Sequence, residues 1–317
     1  MALVLPRATA NTFRLPTAIG SIFVHLVALT APFVFSWPGL ALAVVFYYLT
    51  GCWGITFCYH RLLSHKSFKA NKWLTYLTAA IGCMALQGGP LWWCAHHRLH
   101  HRESDKEMDP HSPRESFLWS HVLWFHFNHP KLATHEQVCA MVPDLAQDPV
   151  LRWMDKHFIT VSILANLTIA ATAWLIWDAY VALSAFVWVG YVRTVVVWHC
   201  TWLVNSATHR WGYKTYESGD DSLNNWWVAL LTFGEGWHNN HHAKQRVARS
   251  GHQWWEYDVT YALITVFRSL GLVWDVVPMP NEREVNQIKP VPVTVSENQA
   301  AAQAPKAPKA KVLTGSR

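Results

Sequence analysis

Charged side chains are scarce in this chain, at 15% of its 317 residues against about a quarter in ordinary soluble proteins. The formal net charge is only +6, and no basic stripe interleaved with aromatic residues is present, so nucleic-acid binding is not expected. The first 16 residues lack a cleavage-like site, and we predict no removable signal peptide.

The cysteines show no metal-binding or disulfide pattern. No Cys-x-x-Cys spacing occurs, and most of the cysteines stand in or beside apolar stretches. We interpret them as small buried hydrophobic residues, which argues against a disulfide framework, an iron–sulfur cluster and a structural zinc site. The six are Cys52, Cys58, Cys83, Cys94, Cys139 and Cys200.

Long apolar runs dominate instead. Hydrophobic residues make up 51% of the chain, and tryptophan, which is enriched at bilayer interfaces, occurs 20 times. Short turns join the runs into two antiparallel hairpins, and Lys and Arg flank their outer ends, so the positive-inside rule puts those ends in the cytoplasm. The runs are each near the roughly 20 residues that span hydrocarbon. They cover about residues 17–36, 39–58, 158–177 and 179–204.

We therefore predict an all-α integral membrane protein with four transmembrane helices in two hairpins and a cytosolic helical cap. Residues 1–16 would form an N-terminal cytoplasmic segment, and residues 17–277 the membrane domain. Residues 278–317 are dominated by Pro, Ala, Lys and Gln, and we predict a disordered tail.

Three further segments need a separate interpretation. Residues 73–96 are uncharged and long enough to span, but Gln87-Gly88-Gly89-Pro90 interrupts them, so we predict a broken or re-entrant pair of helices. Residues 117–127 indicate an interfacial amphipathic helix, and residues 257–277 an apolar helix along the membrane face.

Three histidine motifs provide the chemistry. In a helix, His97, His100 and His101 stand at i, i+3 and i+4, on one face within a single turn. Imidazoles that converge in this way indicate metal ligands, because otherwise their ring nitrogens stay unpaired. A second triplet repeats the spacing, and a further pair stands five residues apart. The motif histidines are His60, His65, His97, His100, His101, His238, His241 and His242.

A ninth candidate ligand is His209, with Asn205 one helical turn before it. Nine imidazoles exceed what one ion accepts, so two ions are expected. Imidazole suits zinc, copper, iron and nickel, and the ligand type alone does not choose among them.

The motifs resemble those of the membrane-bound fatty acid desaturases, most closely the Δ9 acyl desaturases of the stearoyl-CoA type, over about residues 15–275. The resemblance rests also on flanking stretches, namely Gln87-Gly-Gly-Pro-Leu-Trp-Trp93, Asp109-Pro-His111, Ser120-His-Val-Leu-Trp124 and Trp202-Leu-Val-Asn-Ser-Ala-Thr-His209. It implies two iron ions, Fe²⁺ in the resting form, held by the nine histidines, with Asn205 holding a metal-bound water. The reaction would use O₂ to introduce a cis double bond, at Δ9, into a saturated acyl chain on CoA, a carrier protein or a lipid.

The resemblance also suggests roles for residues around the ligands. Trp93, Thr201 and Trp202 are candidates to line a substrate tunnel, although ordinary helix packing explains them equally well. Arg98, Asp105, Asp109 and Glu235 are candidates to orient imidazoles, with a turn role open for Asp109. Arg114 could contact the headgroup of an acyl carrier, or could be a surface residue. We expect the histidines outside the ligand spacing to be hydrogen-bonded or exposed, namely His25, His121, His126, His129, His135 and His252. His96 and His199 adjoin ligand candidates but point off the ligand face, and we leave them out.

An electron donor must come from outside, because the sequence carries no His-Pro-Gly-Gly of a fused b-type cytochrome, no Cys-x-x-Cys and no flavin fingerprint. A ferredoxin, a rubredoxin or a separate b-type cytochrome is expected. The other partners are the acyl substrate and the bilayer. A bacterial inner membrane is favoured over endoplasmic reticulum.

Two other functions are compatible with the motifs. A diiron hydroxylase of an alkane or carotenoid would use the same site with a different substrate geometry. A histidine-lined metal transporter would need intramembrane histidines along a pathway. The ligand candidates here gather at cytoplasmic helix ends, which disfavours transport.

Overall fold

The computed structural model describes residues 12–279, and within them the chain is mostly helical. The predicted N-terminal segment, 1–16, lies largely outside the described residues, and nearly all of the predicted tail, 278–317, lies outside them as well.

Within residues 12–279, three helices are long and apolar enough to cross a membrane: α2 (Trp37–Ser64), α8 (Pro149–Ile176) and α9 (Ala179–His209). Their most apolar windows have mean hydropathies of 1.7, 1.9 and 1.7. The first predicted span, residues 17–36, is instead a 14-residue helix, α1 (Leu15–Ala28), followed by a 3-10 turn at Ala31–Val34. At 1.5 Å per residue α1 alone reaches about 21 Å, short of the ~30 Å hydrocarbon layer.

The long helices extend beyond their predicted bounds. Helix α2 begins two residues early because the Ser36 hydroxyl caps it by accepting from the Gly39 N–H at 3.1 Å. Helix α8 begins at Pro149, nine residues before the predicted 158, because Asp148 caps its first turn. Hydropathy locates the stretch without charge, whereas a capping residue determines where the helix begins. Here polar first turns extend the helices beyond the apolar runs.

The second half of α2, Leu49–Ser64, is wound as a π-helix. In an α-helix His60 and His65 would be rotated by about 140° from each other. In the π-helix the N–H of residue i+5 donates to the carbonyl of residue i, and His65 N donates to His60 O at 3.1 Å. The wider winding therefore brings both histidines towards one face.

The uncharged segment 73–96 is broken, as predicted. It forms α3 (Lys72–Cys83) and the first half of α4 (Pro90–Glu103), separated by a linker at residues 84–89. Helix α9 fastens this linker. Arg193 Nη1 donates to Met84 O at 2.7 Å, and Trp198 Nε1 donates to Ala85 O at 2.7 Å.

The short helices and the residues that connect them are called the cap: α5 (Phe117–His121), α6 (His135–Met141), α7 (Pro143–Ala146), α10 (Trp226–Leu231) and α11 (His238–Ala243). The predicted interfacial helix 117–127 is only five residues of α-helix before a 3-10 turn at Leu123–His126. The apolar helix predicted at residues 257–277 is shorter in the structure than predicted.

The last helix, α12 (Val259–Ser269), stops early because Gly271 adopts a left-handed φ of +70°. The chain then forms β2 (Val273–Trp274), which pairs antiparallel with β1 (Lys69–Ala70). This pairing closes the cap against the end of α2.

The tight approach of α2 and α3 gives a stability test. A Cβ added at Gly54 of α2 would lie 2.7 Å from Gly82 Cα of α3, so both backbones must shift. We expect Gly54→Ala to destabilise the fold by about 1–3 kcal/mol through overpacking and to lower the midpoint of thermal unfolding in detergent. Gly20→Ala is the control, since a Cβ there meets nothing within 4 Å. Equal midpoints for the two variants would contradict this packing.

Candidate metal centre

Five histidines converge beneath the end of α2. One ring nitrogen from each lies within 4.8 Å of every other. The Nε2 atoms of His65 and His97 are 2.7 Å apart, and those of His101 and His241 are 3.0 Å apart. The group joins α2, α4 and α11 and consists of His60, His65, His97, His101 and His241.

Four more histidines form a second group, again with one nitrogen each within 4.8 Å of the others. They come from α4, the end of α9 and α11, and all are buried: His100, His209, His238 and His242. The two groups together contain the nine imidazoles that the sequence singles out, and α4 and α11 contribute to both.

The spacing within the groups fits metal ligands. Two nitrogens held about 2.1 Å from one ion, at right angles, are about 3.0 Å apart. His60 Nε2 and His241 Nε2 are 3.0 Å apart, as are His97 Nε2 and His101 Nε2. The buried Nε2 atoms of His209 and His238 have no hydrogen-bond partner among the described residues. Such atoms are costly unless they bind something.

Three histidines of the first group are held in the neutral form that binds metals. Burial first, and then the neighbouring imidazoles, keep the pKa of His97 and of His101 well below the usual range. The same two causes lower the pKa of His241. These side chains are therefore uncharged at neutral pH, with a ring nitrogen free to bind an ion.

Four carboxylates orient the imidazoles from behind. Asp109 Oδ1 lies 2.9 Å from His100 Nδ1, and Glu235 Oε2 lies 2.6 Å from His60 Nδ1. Asp105 Oδ2 lies 3.3 Å from His209 Nδ1. In each case the carboxylate is at Nδ1, so that Nε2 faces the cluster, as in the carboxylate–histidine pairs of metal sites.

The fourth carboxylate, Asp220, was not identified from the sequence. Its Oδ2 lies 2.5 Å from His242 Nδ1, and Oδ1 accepts from the Ser222 N–H at 3.1 Å. Burial opposes ionisation of Asp220, but its bonds to His242 and to serine hydroxyls lower its pKa overall. It stands in a polar loop 22 residues before its partner, and nothing in the local sequence distinguishes it from Asp221.

A buried arginine supports Glu235. Arg61 is only 1% exposed, and its Nη2 lies 2.9 Å from Glu235 Oε1. Its Nη1 lies 2.8 Å from Asp258 Oδ2, which ties α2 to the residue that caps α12. Its position next to His60 is the one local signal for this role of Arg61, which was not predicted.

Arg98 does not contact an imidazole, contrary to the prediction. One residue after His97, it is rotated by about 100° from the ligand face. Its guanidinium forms two bonds with Asp144, at 2.6 and 2.9 Å. It also donates to the carbonyls of Leu63 and Ser64 at 2.8 and 3.2 Å. Arg98 thus fastens the end of α2 that carries the first histidine pair.

The third motif forms a short helix that tertiary bonds hold in place. Six residues are too few for a stable isolated helix. The side-chain oxygen of Asn239 accepts from the N–H groups of Thr215 and Tyr216 at 2.7 and 2.8 Å, and Asn240 Nδ2 donates to Glu256 Oε2 at 2.8 Å. The two asparagines therefore orient the three histidines around them.

A cavity of about 400 Å³, lined by both aromatic and polar side chains, adjoins the first histidine group. Trp93, Thr201 and Trp202, the three tunnel candidates, all line it, and Asn205 and His97 line it too. Thr201 also lines a second cavity of about 300 Å³ between α2, α9 and α10. Gln87 is a lining residue for which no role was predicted; its Nε2 donates to Thr201 Oγ1 at 3.0 Å.

Other predicted residues lie apart from the two groups. Arg114 is 56% exposed and pairs with Asp221 at 2.8 Å. His25 and His121 are hydrogen-bonded, as expected for histidines outside the ligand spacing; both contact His199, at 3.2 and 3.0 Å. His111, quoted only as part of a motif, lies with His100 and Asp109 in a third possible ligand group and lines the larger cavity.

Comparisons with known proteins agree with this geometry. Residues 35–265 match a family model described as fatty acid desaturase. The chain is 44% identical over 259 residues to the sn-2 palmitoyl-lipid 9-desaturase of Nostoc sp. (strain 36), covering 81% of this chain and 87% of that protein. It is 44% identical over 265 residues to the sn-1 stearoyl-lipid 9-desaturase of Anabaena variabilis, covering 83% and 91%. An acyl-CoA 5-desaturase of Anemone leveillei is 41% identical over 258 residues, covering 81% and 77%.

Asp220 gives a test of the metal centre that is independent of turnover. In Asp220→Asn an amide N–H₂ can face His242 Nδ1, which favours the tautomer with the proton on Nε2, where it blocks a metal. We expect metal affinity to fall by about 10- to 100-fold, measured as the metal content of purified protein after dialysis against a chelator.

Asp221→Asn is the matched control, since its side chain faces Arg114. Unchanged metal content in Asp220→Asn would remove this carboxylate from the centre.

Proposed function

The chain belongs to the fatty acid desaturase family, and on that premise we propose that it introduces a cis double bond at Δ9 into a saturated acyl chain of a membrane glycerolipid. It is therefore an oxidoreductase. The observation that carries the proposal is the pair of histidine groups beside a cavity with tryptophan walls. Overall, one CH₂–CH₂ unit, O₂, two electrons and two protons are converted into one CH=CH unit and two waters.

We propose iron as the metal of both groups. The five-histidine group would hold one ion and the four-histidine group the other, with Asn205 holding a water near them. When bound, the two iron ions would supply the chemistry by which O₂ and two external electrons remove two hydrogens from an unactivated chain. The donor set consists of nitrogens and contains no cysteine, which supports individual iron ions over an iron–sulfur cluster.

The task of the protein is to position the acyl chain. Trp93 and Trp202 form apolar walls that exclude water, and the stack of Trp93 on His97, with ring centroids 5.0 Å apart, brings one wall against a ligand. Thr201 borders both cavities, so a chain that passes it would present one carbon pair beside His97 and Asn205. An error of about 1 Å at this point can cost two orders of magnitude in rate.

A glycerolipid is the acyl carrier we favour. Two relatives with 44% identity are named for stearoyl at sn-1 and palmitoyl at sn-2 of a lipid. Arg114, the candidate for a carrier headgroup, is already paired with Asp221. A bilayer lipid can deliver its chain directly from the surrounding membrane.

The electron donor is a separate protein, a ferredoxin, a rubredoxin or a b-type cytochrome. Lys244 and Arg246 are exposed directly after α11, which carries ligands of both groups, so an acidic donor could approach there. We further propose four spans, with α1 as the first, and a metal centre on the cytoplasmic side of a bacterial inner membrane.

Product analysis tests the activity. We expect an expressing host to gain lipid-bound monoenes with a Δ9 double bond, identified by mass spectrometry of disulfide adducts. Hydroxylated chains without monoenes would instead indicate a hydroxylase. His101→Ala, His209→Ala and His242→Ala should abolish the product, and Asn205→Ala should reduce it, because each removes a ligand or a ligand's water.

His135→Ala is the matched control, because its half-exposed side chain lies outside both groups. Normal activity in any ligand variant would remove that histidine from the ligand set.

Cysteine labelling tests the topology. In a Cys139→Ser background, we expect single cysteines at Lys69 and Lys106 to react with an impermeant maleimide only from the cytoplasmic side, because both flank the metal centre. A cysteine at Asp178, in the α8–α9 turn, should react only from the other side. Opposite sidedness for positions 69 and 106 would overturn the four-span arrangement.

A further inference from the structure

Arg14 is a half-buried cation at the start of α1 with no anionic partner. Its backbone N–H donates to His126 O at 2.8 Å, which holds the start of α1 against the cap. Its guanidinium lies over the ring of Trp92, 5.6 Å from the centroid. Within residues 12–279, no carboxylate lies within ion-pair distance of the Arg14 guanidinium, and it donates no hydrogen bond.

Burial without an anion is unfavourable for a guanidinium. Loss of solvent lowers the pKa of Arg14, and no acidic group acts in the opposite direction. The face of Trp92 compensates in part, because an aromatic ring attracts a cation. Five N–H donors remain available, arranged as a planar fork that matches a phosphate or carboxylate.

Trp92 connects this cation to the substrate cavity. Trp92 lines the 400 Å³ cavity, and its ring stacks on His96 at 3.8 Å and parallel to Trp124 at 6.2 Å. Arg14 also stands immediately before the apolar helix α1, and in the proposed four-span arrangement this end of α1 is at the level where lipid headgroups meet the acyl region. The cation is therefore near the headgroup layer and the cavity at the same time.

We propose that Arg14 binds the phosphodiester of a glycerophospholipid substrate while one acyl chain of that lipid occupies the cavity. The inference rests on the proposed function, since it takes an acyl lipid as substrate. The fork would donate two parallel bonds to the phosphate oxygens, a geometry that lysine cannot reproduce. Arg14 would thus select phospholipids over neutral galactolipids and fix the distance from the glycerol to the metal centre.

Kinetics with two substrates test the selection. The full chain in neutral maltoside micelles, with reduced ferredoxin, is given distearoyl phosphatidylglycerol or distearoyl monogalactosylglycerol. We expect Arg14→Gln to raise the KM for phosphatidylglycerol about tenfold or more, with kcat unchanged, because charge-assisted hydrogen bonds are lost. Kinetics with the galactolipid should not change. Arg14→Lys should give an intermediate KM.

The control is Arg210→Gln. Arg210 lies over Trp211 at 5.7 Å in the same kind of contact but is exposed, and neither residue lines a cavity described above. Equal losses with both lipids in Arg14→Gln would show that Arg14 only anchors α1, and unchanged kinetics would show that it contacts no substrate. Either result overturns the proposal.

Binding without turnover separates this proposal from the proposed function. Native mass spectrometry of the enzyme without reductant counts bound phosphatidylglycerol, and we expect Arg14→Gln to lose the tightest-bound lipid. Retention of that lipid, or its displacement by millimolar inorganic phosphate, would overturn the phospholipid site. If the wild type binds this lipid through Arg14 but desaturates only acyl-CoA, the proposed substrate is wrong while the binding site stands.

Discussion

The structure depends on buried carboxylates that fix several rings of the two histidine groups from their Nδ1 side. Nine imidazoles are packed into two groups, and burial, followed by the neighbouring imidazoles, keeps the pKa of His97, His101 and His241 well below the usual range. Neutral rings are free to rotate and to change tautomer unless a second contact orients them. Asp109, Glu235 and Asp220 provide that contact and turn Nε2 inward. Without these carboxylates the groups would be a collection of unpaired nitrogens.

The same requirement explains much of the surrounding architecture. The π-helical half of α2 brings two histidines to one face, and the Asn239 and Asn240 contacts hold a six-residue helix that could not form alone. Arg61 and Arg98 join the ends of these elements to the cap. The buried polar network is extensive because each carboxylate that orients a histidine must itself be held.

Local spacing was enough to predict which histidines come together, because a one-turn triplet is a property of a few adjacent residues. It also predicted the helix break at residues 84–89, where Gly88 and Pro90 act through backbone geometry. Contacts over long sequence distances could not be predicted in this way. Asp220 reaches His242 only through the fold, and Arg98 faces away from the ligand face because it is rotated on its helix relative to His97. Hydropathy likewise could not locate the caps of α2 and α8, because a cap depends on one polar side chain.

The attachment of the 84–89 linker to α9 links the catalytic geometry to the bilayer. Arg193 and Trp198 bind its carbonyls, Gln87 binds Thr201, and Pro90 begins the helix that carries His97. A spanning helix changes its tilt when the hydrocarbon layer thickens or thins. Tilting of α9 would carry the linker and the cavity wall with it, so the register between acyl chain and metal ligands is tied to membrane thickness. An enzyme that alters the fluidity of its own membrane would in this way be sensitive to the physical state that its product changes.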